Sequence, residues 1–340
     1  MAEGLALLRK GLPWLLLMAG AVAPFLMSGY DLSLLARFLS MAILSLGLVL
    51  LWGHGGVLSL GQGVFFGIGG YALAMHMKLA DLPAGSLPDF MVWSGREALP
   101  GWWQPFASAP VALLAVLLLP ALAAALFSWS VFRRRVGGSY FAIITQALAL
   151  AFATFLISRQ EVTGGFNGLT GFQSLFGLSL TDPVVTRGLY WLTLAALVLA
   201  FLLIRWLAAS RFGQVLGAMR EGENRMRFLG YDPAPYRVVA FAVAAFLAGI
   251  AGALFTLHAG VISPAMVGVV PSIEMVVLVA VGGRLSPAGA IVGTLFVLYA
   301  RDLVSSSFPD LWLYVLGALF IGVVTFLPNG LAGLARRWVR

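Results

Sequence analysis

Residues 109–131 read APVALLAVLLLPALAAALFSWSV, 23 positions without one charged side chain. As a helix rising 1.5 Å per residue, such a run crosses the ~30 Å hydrocarbon core of a bilayer. Runs of the same kind recur at 12–28, 35–52, 59–79, 139–157, 188–208, 236–258, 272–283, 287–304 and 311–327. A transmembrane barrel would instead alternate polar and apolar residues in segments of roughly ten. A soluble domain is excluded as well, because 61% of the chain is hydrophobic and only 10% charged, too little polar surface to face water. The expected fold class is an all-α polytopic membrane protein of about ten transmembrane helices, forming one transmembrane domain over 1–340. Residues 272–283 are short for a span, so this segment is expected to be re-entrant or to start within the bundle, or else 272–304 forms one broken helix.

Charge sets the orientation. With ten spans and both termini cytoplasmic, fifteen of the 21 lysines and arginines fall inside, among them Arg133–Arg135, Arg211, Arg220, Arg225, Arg227, Arg284, Arg336 and Arg337. Only four of the 13 carboxylates join them, and this asymmetry obeys the positive-inside rule. The reading leaves Arg37, Lys78, Arg96, Arg159, Arg187 and Arg301 outside. Arg9 and Lys10 ahead of the run 12–28 imitate a secretory signal, but Pro24 and the later spans favour an uncleaved first helix. Two periplasmic loops are expected, 80–108 and 158–187. The first carries Trp93, Trp102 and Trp103, which suit a headgroup interface or an external partner.

Within so apolar a chain, AMREGENRMRFLGYDP at 218–233 stands out. Glu221 with Arg225, and Glu223 with Arg227, are i,i+4 pairs in the favourable order and predict a short helix in a cytoplasmic loop, 209–236. Gly230 is placed to end it, and Pro233 and Pro235 bar its continuation. Met219, Met226 and Leu229 predict a small apolar face opposite the charges. Such a helix either lies on anionic lipid or docks a soluble partner.

Polar groups inside spans are costly and therefore informative. Ser59, Gln62, Thr145, Gln146 and Glu274 are the candidates for a translocation path; interhelical hydrogen bonds, or simple solvation for Glu274, are the alternative. Gly63 with Gly67, and Gly289 with Gly293, have the GxxxG spacing that lets helices approach closely. No phosphate-binding G-x-x-x-x-G-K-[ST] is present, and no hydrolase motif. With no cysteine, and with His54, His76 and His258 far apart in sequence, no metal or cofactor is expected. Nothing points to nucleic acid. A stand-alone channel or ion-coupled carrier would bury ionisable relays in mid-span, where these runs hold almost none.

LSLGQGVFFGIGGYALAMH at 58–76 and REGENRMRFLGYDPAPYRVVAFAVAAFLAGIAGAL at 220–254 together resemble the permeases of branched-chain amino-acid type ABC importers. DFMVWSGREALPGWWQPF at 89–106, TGGFNGLTGF at 163–172 and the segment 273–331 resemble the urea-transporting branch of that group. The similarity runs from about Leu35 to Gly330. It implies an inner-membrane permease for urea, with branched-chain amino acids or short amides as the alternative cargo. It also implies a second homologous permease, two cytoplasmic ATPase subunits that bind the ATP, and a periplasmic binding protein. The loop at 209–236 would then be the coupling helix, with Arg220, Glu221, Glu223, Asn224, Arg225, Met226, Leu229 and Gly230 meeting the ATPase. Where general importers carry Glu-Ala-Ala ahead of the glycine, this chain has Asn224-Arg225-Met226.

Overall fold

The structure is a computed structural model and describes residues 18, 20–27, 29–83, 86–308, 311–327 and 329–337. Of the expected first span, 12–28, residues 18 and 20–27 are described, with 20–26 helical; residues 12–17, 19 and 28 lie outside the described residues, as do Arg9, Lys10 and Arg340. Among the described residues, seven helical segments are long and apolar enough to cross a membrane. The first is α1 (Gly29–Leu48), which runs on as a π-helical turn to His54. After α2 (Gln62–Ala80) and a short α3 (Asp89–Trp93) come α4 (Ala109–Phe132), α5 (Ser139–Ser158), a single turn α6 (Gln160–Thr163), and α7 (Pro183–Ala209). Two short helices, α8 (Arg211–Glu221) and α9 (Glu223–Phe228), lead into α10 (Pro233–Ala259). The chain then forms α11 (Val269–Gly282), α12 (Pro287–Ser307), α13 (Trp312–Phe326) and α14 (Gly330–Arg337). α2, 19 residues long, and α13, 15 residues long, stand where spans are expected, although neither combines the length and the hydropathy of the seven.

Glycine and alanine decide which helices form the centre. A Cβ on Gly47 of α1 would meet the backbone of Ala244 in α10 at 2.9 Å, and one on Gly252 of α10 would meet the Phe66 carbonyl of α2 at 1.9 Å. Backbones this close gain dispersion contacts along their whole length, which holds helices together where lipid removes the hydrophobic drive. α1, α2 and α10 are consequently the buried core, whereas α4, α5, α7 and α12 turn apolar side chains such as Leu118, Leu150, Leu199 and Phe296 outward. The same reasoning covers the predicted GxxxG positions. Cβ atoms on Gly63 and Gly67 would strike Val267, and one on Gly293 would strike Gly282.

Residues 269–307 are two helices and not one broken span. The chain reverses at Gly283, whose φ of 112° lies in the left-handed region, and α11 and α12 pack as a hairpin through Gly282 and Gly289. The 14 residues of α11 cover only about 21 Å. Its start, Gly268, lies beside Ala153, well inside α5, so the connection from α10 dips into the bundle before α11 begins. Residues 55–61, ahead of α2, are likewise irregular and largely buried. Non-helical backbone at such depth is tolerated where protein surrounds it.

The connections sort onto two ends. At one end, loop 80–108 and the segment after α5 form a folded cap: Trp103 Nε1 donates to the Val162 carbonyl at 3.2 Å, Arg96 pairs with Glu161 at 3.1 Å, and Asp81 accepts from Gln173 N and Ser174 Oγ. Strand β1 (Leu169–Thr170) pairs antiparallel with β4 (Val261–Ile262), and β2 (Ser174–Leu175) with β3 (Leu178–Ser179). Gly168, at φ 70°, lies so close to Ile262 that a Cβ would meet its carbonyl at 2.0 Å. Trp103 corrects the expectation of an interfacial anchor, because it is 0% exposed and packs the cap, while Trp93 and Trp102 remain outside.

Candidate functional site

The opposite end carries the charged segment. Its helix is two helices, because Gly222, at φ −164° and ψ 78°, breaks the run between α8 and α9. The break separates Glu221 from Arg225, and Glu221 pairs with Arg220 instead. Within α9 the predicted pair forms, Arg227 to Glu223 at 2.8 Å, and Arg237 of α10 binds the other carboxylate oxygen at 2.7 Å. Burial pushes the Glu223 carboxyl up, but the hydrogen bonds from Arg227 and Arg237 outweigh it and hold the group below the ordinary carboxylate value. Gly230 adopts φ 88° and closes α9 in a Schellman motif, with Gly230 N bonded to the Arg227 carbonyl and Tyr231 N to that of Met226.

The expected apolar face divides in two. Met219 and Met226 turn into the bundle and are buried, whereas Leu229 points away with Phe228, at 72% and 92% exposure. Helical spacing predicted one stripe; the break at Gly222 rotates α9 against α8 and removes Leu229 from it. The loop is also tied to the spans. Arg220 Nη1 donates to the carbonyl of Gly53 in the π-helical end of α1, and Arg237 sets its guanidinium 5.9 Å from the Phe132 ring of α4. Asn224 and Arg225 are exposed beside these anchors.

Two groups of polar residues lie deeper. Thr145 Oγ1 accepts from Leu60 N at 3.0 Å, next to Ser59 and Gln62, so three of the expected path residues meet where irregular residues 55–61 pass α5. Gln62 is buried, and its amide makes no hydrogen bond among the described residues. No hydrogen bond among the described residues joins half-buried Gln146 to this group. Glu274 stands apart, 7% exposed on α11, where it receives Arg301 Nη1 of α12 at 2.8 Å. It helps line a cavity of about 300 Å³ together with Arg37, Arg301 and Asp302. The near absence of ionisable groups from the spans is thereby corrected. Arg37 lies two turns into α1 and not outside it, and a charge within the run 35–52 was the available signal for it.

A helical bundle with interrupted spans and a charged, folded loop at one end defines a multi-pass membrane protein of the transporter class. Residues 31–324 match the family profile described as branched-chain amino acid transport system / permease component, and the chain belongs to that family. Among similar proteins are the high-affinity branched-chain amino acid transport system permease proteins LivM of Salmonella typhimurium and of Escherichia coli. Each is 27% identical over 343 residues, covering 94% of this chain and 74% of the relative. A probable branched-chain amino acid transport permease protein LivM of Methanocaldococcus jannaschii is 24% identical over 317 residues, covering 85% and 89%. No solved structure matches the chain.

Proposed function

We propose that this chain is the membrane-spanning permease subunit of an ATP-driven importer in the bacterial inner membrane, with ten spans, both termini cytoplasmic and branched-chain amino acids as cargo. The observation that carries the reading is the family match over 31–324, joined to a folded charged loop at one end of the bundle. In this reading the end bearing α8 and α9 is cytoplasmic and meets an ATPase subunit, with exposed Phe228 and Leu229 as the apolar anchor and Asn224 and Arg225 beside it. The cap built from 80–108 and 158–182 faces the periplasm and receives a binding protein. A second, homologous permease completes the membrane unit.

The geometry supplies a route for force. Closure of the ATPase subunits would displace α8 and α9; Glu223 hands that displacement to Arg237 at the base of α10, and Arg220 hands it to the end of α1. α1 and α10 touch backbone to backbone at Gly47 and Ala244, so they move as one unit against their neighbours. Switching that unit alternately opens the path past Ser59, Gln62 and Thr145 to either side.

The resemblance of 89–106, 163–172 and 273–331 to urea permeases supports a second cargo. The test is accumulation of labelled leucine and, separately, labelled urea in proteoliposomes holding the permease pair, ATPase subunits and binding protein, with and without enclosed ATP. ATP-dependent leucine uptake is the expected result. ATP-dependent urea uptake unaffected by leucine would keep the importer and replace the cargo, and ATP-independent equilibration of either solute would overturn the importer.

A further inference from the structure

The cavity beside Glu274 is built differently from the rest of the bundle. It is lined by α1, α11 and α12 together with Phe66 of α2 and Phe255 of α10, and two of its lining residues, Arg301 and Asp302, are exposed. Its volume of about 300 Å³ is at the lower end of the roughly 300–1,000 Å³ that small-molecule sites occupy. One wall is the interrupted stretch Ala265–Pro271, where the chain turns inside the bundle to start the short helix α11. Interrupted helices at membrane depth are where transporters place substrate, because only there do polar backbone and side chains line a space within the apolar layer.

Its charges carry the argument further. Two cations, Arg37 and Arg301, and two anions, Glu274 and Asp302, line one small space whose remaining surface is mostly apolar, including Met41, Met275 and Leu298. Glu274 and Arg301 neutralise each other at 2.8 Å. Arg37 is different: its Nε is buried and makes no hydrogen bond among the described residues. A membrane protein that only needed α11 joined to α12 would have no use for a second cation inside α1, where a charge is expensive. A ligand bearing one carboxylate for the arginines, one ammonium for the carboxylates and an apolar remainder would satisfy every surface of the cavity. A neutral amide offers neither an anion to the arginines nor a cation to the carboxylates.

We infer that this cavity is a binding site for the zwitterionic form of an α-amino acid with an apolar side chain: Arg37 and Arg301 take its carboxylate, Glu274 and Asp302 its ammonium, and the Met41–Leu298 surface its side chain. The inference rests on the reading of the chain as an amino-acid permease and assigns that reading a place in the molecule.

The chain has no cysteine, so one introduced thiol reports on the cavity without background from this subunit. Ser305→Cys, at the rim, is labelled with a maleimide in the assembled complex, and the modified subunit is resolved by gel. Leucine at about ten times its dissociation constant is expected to slow labelling roughly tenfold by occupancy. Urea, 3-methylbutylamine, which lacks the carboxylate, and 4-methylpentanoate, which lacks the ammonium, are expected to give no protection. Glu274→Gln is expected to abolish the protection. Asp302→Asn, at an exposed position, is expected to weaken it and keeps the test open should the buried variant misfold. Equal protection by the amine, the acid or urea would overturn the zwitterion site. So would a complex that imports leucine with ATP yet shows no leucine protection at Ser305→Cys, an outcome that leaves the permease reading intact; ATP-dependent leucine uptake that fails altogether strikes that reading instead.

Discussion

Glu223 is the residue on which the charged loop turns. It holds Arg227 within α9 and Arg237 at the foot of α10, so its removal cuts the loop's ionic tie to α10 without touching the core, while Arg220 still bonds the Gly53 carbonyl of α1. With the carboxyl about one-third exposed, the two pairs together contribute on the order of 1 kcal/mol to local stability. Glu223→Ala together with Arg225→Ala is expected to abolish ATP-dependent uptake while the complex still assembles and inserts; wild-type uptake in this variant would remove the coupling role from the loop. The pH dependence has a definite sign. Because the folded carboxyl titrates below its ordinary value of 4.5, its contribution is present in full above that value and is lost as pH falls through the depressed one. Hydrogen-exchange protection of 223–230 is therefore expected to stay level from neutral pH down to the carboxylate range and to fall beneath it. Glu223→Gln should be less protected at neutral pH and insensitive to the change.

At the scale of elements, small residues set how closely helices approach. Gly252→Ala drives a methyl into the Phe66 carbonyl, backbone that cannot move aside cheaply, and is expected to cost about 1–3 kcal/mol, read as a lowered Tm in detergent. Gly217→Ala in α8 meets nothing within 4 Å and is expected to be neutral or to raise Tm slightly, since alanine restricts the unfolded chain. Equal effects of the two would mean that the α2–α10 contact is looser than its geometry. The contrast also marks what the sequence could say. GxxxG spacing at Gly63 and Gly67 announced close packing, but Gly47, Gly69 and Gly252 have no such neighbour, and their contacts exist only because three helices cross there.

For the whole molecule, the sorting of connections onto two ends turns orientation into a measurement. In sealed cells, Ser94→Cys in the cap is expected to react with a membrane-impermeant maleimide added outside, and Arg225→Cys only after the membrane is opened. The reverse pattern would invert the assignment of sides. The seven long apolar helices and the fold class were legible in one chain, because hydrocarbon forces every spanning segment to be an apolar helix of sufficient length.

Composition and local patterning thus determined that this is a helical membrane protein, where most of its helices lie, and that residues 209–236 are a terminated, charged loop with Gly230 as its stop. Both signals are carried by neighbours within a few turns, through hydropathy and i,i+4 spacing, so no partner element is needed to read them. What the tertiary structure alone decided is which residues meet: Glu223 with Arg237 instead of Arg227 alone, Met226 buried and Leu229 exposed, α11 starting inside the bundle, and Arg37 gathered with Glu274, Arg301 and Asp302 around one cavity. Those four charges lie on three helices as much as 265 positions apart, and only the crossing of α1 with the α11–α12 hairpin brings them within reach of one ligand.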